Sequence, residues 1–308
     1  MIKSIKIGTR SSKLALYQSN LVKEKLSSFY PDLDISLVEI KTKGDKIQDR
    51  NLDRNIDKGF FVKEIQEQLI NNKIDIAVHS LKDVPVDDYS NDLSSVILKR
   101  GNHNDVFISR DKKKLSDFDN TLKIGTSSLR RKAQLLNINC NLKIDDIRGN
   151  VDTRISKMLD RRYDGLVMAA AGIERLGLQE YITEYFDIDQ ILPAPGQGAI
   201  SVEVKKNNIE IIDIISKIND EETNLTTHYE RSFMNELGGG CNSPIGAYAF
   251  ISNNKKKITG SILSLDGKKV YKNSLETDIN DGSNIGKLLA YKLIESGADK
   301  IIKNLDLE

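Results

Sequence analysis

The feature that most restricts the fold is a segment that occurs twice. Ile5-Lys-Ile-Gly-Thr-Arg-Ser-Ser12 leads into the amphipathic stretch Lys13 to Phe29, and Leu122-Lys-Ile-Gly-Thr-Ser-Ser128 leads into Leu129 to Asn137. Each reads as a strand, a Gly-Thr turn and a helix capped by serine. A second pair, Asp75-Ile-Ala-Val-His-Ser80 and Asp164-Gly-Leu-Val-Met-Ala169, reads twice as a short buried strand entering a turn. Apolar runs of this kind alternate with helical patterns through the first two thirds of the chain, which predicts βα units, largely parallel sheets and two related lobes.

The chain has 308 residues, more than a single core of roughly 250 residues sustains, so two or three domains are expected. Gly- and Pro-bearing breaks at Arg100-Gly-Asn-His-Asn-Asp105 and Leu192-Pro-Ala-Pro-Gly-Gln-Gly198 mark the crossings between lobes. The predicted division is a discontinuous lobe one over 1–99 and 199–218, lobe two over 104–193, and a small C-terminal α+β domain over 222–308. In that last domain a helix is expected near Thr223 to Leu237. Strands follow at Ile245 to Phe250, Lys257 to Leu263 and Lys269 to Leu275, then a helix at about Asn284 to Ser296.

In open α/β sheets, ligands sit beyond the carboxyl ends of strands, where helix starts present free N–H groups and partial positive charge. Two Gly-Thr-(Arg)-Ser-Ser turns would form a cleft suited to an anion, although Ser11, Ser12, Ser127 and Ser128 also serve as ordinary caps, and the residues leave both roles open. The arginines are distributed unevenly. Nine of thirteen fall between Arg100 and Arg175 and none follows Arg231, whereas ten lysines do. A stretch that keeps arginine is suited to gripping carboxylates or phosphates with a planar fork. Arg130 and Arg131 stand in the first turn of a helix, where positive side chains oppose the macrodipole, and this points to an anionic ligand. Arg148-Gly-Asn opens a further helix carrying Arg154, which predicts that both arginines face one pocket.

Cys241 lies in Gly238-Gly-Gly-Cys-Asn-Ser-Pro244, a loop that favours neither helix nor strand and presents a thiol. The other cysteine, Cys140, sits in a plain connecting segment, and two cysteines are too few for a disulfide framework or a thiolate zinc site. Asp83, in His79-Ser-Leu-Lys-Asp-Val-Pro85 at a strand end, is placed either for acid–base work or for pairing with neighbouring Lys82. No nucleotide motif is present, and the three histidines are not at ligand spacing, so neither nucleotide nor metal is predicted. A net charge of +1 argues against a nucleic-acid partner, and no apolar run is long enough to span a bilayer. With no targeting segment visible, a cytoplasmic location is expected.

Seven stretches, in order, resemble the hydroxymethylbilane synthase (porphobilinogen deaminase) family over nearly the whole chain. They are Ile7-Gly-Thr-Arg-Ser-Ser-Lys-Leu-Ala15, Lys58-Gly-Phe-Phe-Val-Lys-Glu64, Ala77-Val-His-Ser-Leu-Lys-Asp-Val-Pro85, Gly125-Thr-Ser-Ser-Leu-Arg-Arg131, Arg148-Gly-Asn-Val-Asp-Thr-Arg154, Leu192-Pro-Ala-Pro-Gly-Gln-Gly-Ala199, and Glu230-Arg-Ser-Phe-Met through Gly240-Cys-Asn-Ser-Pro244. One departure is Asn55-Ile-Asp-Lys-Gly59, where the family usually has glycines before the Lys-Gly pair.

The resemblance implies two lobes similar to type 2 periplasmic binding proteins plus a C-terminal domain. It implies that Cys241 carries a dipyrromethane cofactor through a thioether. Asp83 is implied as the catalytic carboxylate. Lys82, Ser128, Arg130, Arg131 and Arg148 would hold the cofactor, with Thr126, Ser127 and Gln197 nearby, and Arg10, Ser12, Arg148, Arg154 and Arg175 would meet incoming porphobilinogen. Four porphobilinogens would be deaminated and joined head to tail by a monomer, then released by hydrolysis as hydroxymethylbilane. Parts of the sequence also suit a noncatalytic two-lobed anion binder or a thiol hydrolase pairing Cys241 with His228, whereas a basic-patch nucleic-acid binder lacks the interleaved aromatics it would need.

Overall fold

In a computed structural model, the chain is described over residues 2–41, 60–86, 92–118, 122–240 and 242–305. It divides into two units, Met1–Gly101 with Ala199–Asn224, and Asn102–Gly198 with Leu225–Glu308. Numbering elements along the chain, unit 1 holds β1 (Ser4–Thr9), α1 (Lys13–Phe29), β2 (Asp34–Glu39), α2 (Phe60–Ile70), β3 (Ile76–Ser80), β4 (Leu93–Ile97), β10 (Ile200–Lys205) and α6 (Ile209–Ser216). Unit 2 holds β5 (Asp105–Ser109), β6 (Lys123–Gly125), α3 (Leu129–Ile138), β7 (Lys143–Asp145), α4 (Val151–Leu159), β8 (Gly165–Ala169), α5 (Ala170–Arg175) and β9 (Ile182–Tyr185).

The two five-stranded sheets repeat one pattern. Unit 1 has the order β2-β1-β3-β10-β4 and unit 2 the order β7-β6-β8-β5-β9. In each, the first three strands are parallel and the fourth runs antiparallel to the neighbour on either side. The duplicated Ile-Gly-Thr segments are the equivalent strands β1 and β6, and the second sequence pair gives the equivalent strands β3 and β8. Ser12 caps α1 by accepting from Ala15 N at 3.3 Å, and Ser128 caps α3 by accepting from Arg131 N at 3.4 Å.

The glycine shared by the two repeats has a steric cause. A Cβ on Gly8 would strike Ile74, with Ile40 and Ile65 close by, and a Cβ on Gly125 would lie 2.9 Å from Leu166, 3.0 Å from Tyr163 and 3.3 Å from Ile147. In unit 1, α1 packs Val22 and Leu26 on Ile5 and Ile7 of one sheet face, while Ile65 and Leu69 of α2 cover Ile74 and Ala77 on the other. Each such fully buried aliphatic side chain contributes about 1.5–3 kcal/mol of apolar burial.

The remainder of unit 2 is α7 (Glu221–Glu236, its first turn counted with unit 1), an antiparallel meander β11 (Ile245–Ser252), β12 (Lys255–Leu263) and β13 (Val270–Asp278), then α8 (Ile285–Glu295) and α9 (Asp299–Leu305). The first hairpin keeps its outer ends at Ile245 and Leu263 but runs two residues further towards its turn on each strand, to Ser252 and from Lys255, than the apolar runs suggest. Asn253 and Asn254 both take positive φ, 51° and 58°, so a two-residue turn pairs Ser252 directly with Lys255.

Candidate active site

In unit 1 the turn after β1 and the end of β3 converge on a cavity of about 80 Å³ lined by Arg10, Ser12, Gln18, His79, Ser80 and Asp83, among others. A short 3-10 turn, Leu81–Asp83, follows β3, and it leaves Asp83 exposed and Lys82 half-buried. Gln18, buried on α1, donates to Ser80 Oγ at 2.8 Å and so ties the helix to the strand end beside Asp83. Arg10 and Ser12 are half-buried at the rim.

In unit 2, Thr126 is buried and its hydroxyl accepts from Ser128 N at 3.3 Å. Ser127 donates to Ile147 O at 2.7 Å and accepts from Ile147 N at 3.0 Å, which joins the start of α3 to the turn that carries Arg148. Gly149, at φ +114°, makes that turn possible, and Arg154 Nε returns to Gly149 O at 2.7 Å. Arg148 and Arg154 are both half-buried. Arg175 donates to Gly198 O at 2.6 Å.

The sequence points to an anion at Arg130 and Arg131, and the structure supplies one from the protein itself. Asp105, fully buried, receives Arg130 Nη1 at 2.7 Å and Arg131 through Nε at 3.0 Å and Nη2 at 2.7 Å. Burial alone would raise the Asp105 carboxyl, but the charges and hydrogen bonds of the two guanidiniums outweigh it and hold the group well below the usual carboxylate range. Arg130 also donates to Leu192 O at 2.6 Å, and burial lowers its guanidinium from the ordinary value against the pull of Asp105. Gln197 is completely buried and donates to His103 O at 2.8 Å and to Asp105 Oδ1 at 2.9 Å, while its carbonyl faces Arg131 Nη2 at 3.4 Å.

Sequence reasoning misses Asp105. Its signal is a lone acid heading the apolar run Val106-Phe-Ile108, and recognising it requires knowing which residues meet that strand from elsewhere. Cys241 lies outside the described residues, as does the Asn55-to-Gly59 departure. Beside the cysteine, Ser243 donates to Gly240 O at 2.6 Å, and a Cβ at Gly240 would meet open space. Cys140 is exposed.

Two positive charges share one buried carboxylate at the start of α3, and the buried Nε of Arg130 has no hydrogen-bond partner. The surplus donor and charge fit a ligand rich in carboxylates. Fold and sites therefore define an α/β protein of two matching open sheets, one with a carboxylate on the turn after a strand end and the other with paired arginines at a helix start.

Comparison with known proteins makes this specific. Residues 5–213 match the family model "Porphobilinogen deaminase, dipyromethane cofactor binding domain" and residues 224–295 match "Porphobilinogen deaminase, C-terminal domain". The porphobilinogen deaminase of Alkaliphilus metalliredigens is 40% identical over 307 residues, covering 100% of this chain and 97% of the relative. That of Staphylococcus carnosus is 42% identical over 309 residues, covering 100% of both. The chain belongs to the porphobilinogen deaminase family. It is a transferase of porphyrin synthesis, a hydroxymethylbilane synthase whose first matched domain binds dipyrromethane. Among solved structures, the periplasmic VFT2 domain of Bordetella pertussis BvgS aligns at 14% identity and a TM-score of 0.43, over 70% of this chain and 86% of that one. No helix among the described residues is long and apolar enough to cross a membrane.

Proposed function

We propose the following roles for individual residues in the stepwise condensation of porphobilinogen. Cys241 carries dipyrromethane through a thioether. Arg131 and Arg148, with Lys82, Thr126, Ser127 and Ser128, hold its acetate and propionate groups. When bound, the cofactor supplies the nucleophilic pyrrole carbon to which each new unit is joined. Arg130 adds the surplus buried charge, and Gln197 fixes Asp105 and Arg131 from beneath, in keeping with its complete burial. The two guanidiniums on a single buried carboxylate carry this reading.

Arg10, Ser12, Arg148, Arg154 and Arg175 meet the carboxylates of incoming porphobilinogen. Asp83, exposed at the cavity rim, accepts hydrogen bonds from pyrrole N–H groups and faces the positive charge left as ammonia departs. The same carboxylate takes the proton shed when the joined ring regains aromaticity. The scarcity of cysteine supports a cytoplasmic location and the near-neutral net charge supports the absence of a nucleic-acid partner; porphobilinogen is the partner of a chain that acts as a monomer.

The intact mass of freshly purified protein beside a Cys241→Ser variant, each with porphobilinogen added, tests the reading. An excess matching two linked pyrrole units in the wild type and absent from the variant is expected. A wild-type protein that stays unmodified with substrate would remove Cys241 from its role and favour a noncatalytic anion binder.

A further inference from the structure

The cavity that holds Asp83 has a second carboxylate behind its wall. Glu203 lies in β10 between Val202 and Val204 and is 3% exposed. Its oxygens accept from Gln66 Nε2 at 3.2 and 3.0 Å, and Oε2 stands 3.4 Å from His79 Nε2, close but without hydrogen-bond geometry, so that the buried Nε2 is left without a hydrogen-bond partner. Gln66 is neutral, and no lysine or arginine among the described residues is within ion-pair distance of Glu203. A buried carboxylate without a cation is costly, so such a group calls for a reason.

The sheet register supplies the connection. β3 and β10 are antiparallel, with Ser201 opposite His79 and Glu203 opposite Ala77, so His79 and Glu203 point to the same face, towards α2 and Gln66. His79 is 5% exposed and lines the same cavity as Asp83 and Arg10. Gln66, Glu203 and His79 thus form a line from the interior of unit 1 to the wall of the Asp83 cavity.

We propose that Glu203 is a positioning residue for deamination. Acting through His79, it places a buried carboxylate behind the cavity and packs against the imidazole in the wall; this rests on the reading of Asp83 as the catalytic carboxylate. In the step concerned, the C–N bond of the aminomethyl group breaks and its electron pair leaves with nitrogen as ammonia. The positive charge passes from a compact ammonium to the delocalised ring. A new C–C bond then forms, and the proton at the joined carbon leaves to a base, so each cycle releases ammonia and one proton. The ring cation is the poorly hydrated species, and a fixed negative charge in a dry wall favours it without reorganising.

The test uses full-length, cofactor-loaded enzyme with Glu203→Gln, His79→Gln and Asp83→Asn, reading kcat, KM and unfolding temperature. Glu203→Gln keeps the shape and removes the charge. It is expected to lower kcat about 10- to 100-fold, with KM changed less than about threefold and the unfolding temperature unchanged or raised. The double variant with His79→Gln should be no worse than the poorer single variant, because the pair acts as one unit. Should Glu203→Gln not accumulate as folded protein, His79→Gln, which retains a donor for Glu203, is read by the same criteria. Wild-type kcat, or a loss of kcat that tracks a loss of stability in both variants, overturns the proposal. If Asp83→Asn also turns over like the wild type, the reading of Asp83 fails; if Asp83→Asn is inactive while Glu203→Gln is not, the role of Glu203 alone fails.

Discussion

Neutralising Asp105 would leave two guanidiniums side by side at 3% and 6% exposure with no carboxylate between them. Removing one partner from a buried pair costs about 3–5 kcal/mol, so Asp105→Asn is expected to lower the unfolding free energy at pH 7 by that order. The pH dependence has a definite sign. The folded-state carboxyl lies below its ordinary value of 3.8, so its stabilisation is complete above that value and drains away as pH falls beneath it. Denaturant titrations of wild type and variant from pH 7 downward should show a gap that is constant to about pH 4 and narrows below it. Arg148 offers the contrast, since it is half-buried and lies outside the Asp105 cluster. Arg148→Lys should keep stability within about 0.5 kcal/mol yet slow turnover, because lysine lacks the fork that grips a carboxylate. Wild-type turnover in a steady-state assay would withdraw Arg148 from the proposed site.

At the level of elements, the repeat explains both what the sequence reveals and what it hides. Strand, glycine, serine cap and helix lie within a dozen residues of one another, so their spacing is legible in Ile5 to Ser12 and again in Leu122 to Ser128. Asp105 and Glu203 read locally as single acids in apolar strands. Their meaning depends on Arg131, twenty-six residues away, and on Gln66, one hundred and thirty-seven residues away. The two arginines at the start of α3 are visible as an anomaly, but the sequence does not tell an internal anion from an external one. The matched caps can be tested together. Ser12→Ala and Ser128→Ala should each cost about 1 kcal/mol by chemical denaturation. If Ser128 also touches the cofactor, its variant alone should lose dipyrromethane, seen by intact mass under conditions where Ser12→Ala keeps it.

At the scale of the whole molecule, a buried acid in unit 2 helps join the second sheet to the C-terminal meander, beside Ala247 N donating to Pro193 O at 2.9 Å and Asn137 Nδ2 donating to Gly267 O at 2.9 Å. Glu230 on α7 accepts from Gly196 N at 2.7 Å and from Ala249 N at 2.9 Å, bridging the Pro-Ala-Pro-Gly segment and β11. Glu230→Ala strands both amides and should destabilise by about 2–4 kcal/mol. Hydrogen exchange should then show faster exchange in β11 and around Gly196 while β1 and β3 keep wild-type protection. Uniform loss across both units would mean that the two share one cooperative transition.

The strand order also sets a timetable. In unit 1, β4 reaches the rest of its sheet only through β10, which pairs with β3 on one side and β4 on the other. A ribosome making this chain therefore emits every strand of the second sheet, through Tyr185, before it supplies Ile200–Lys205 to complete the first. Domains that mature during synthesis usually do so from the N-terminus onward. Here the order is reversed: the N-terminal sheet waits with Leu93–Ile97 as an unclaimed edge, and nascent chains halted just short of Ile200 are where a chaperone would find it.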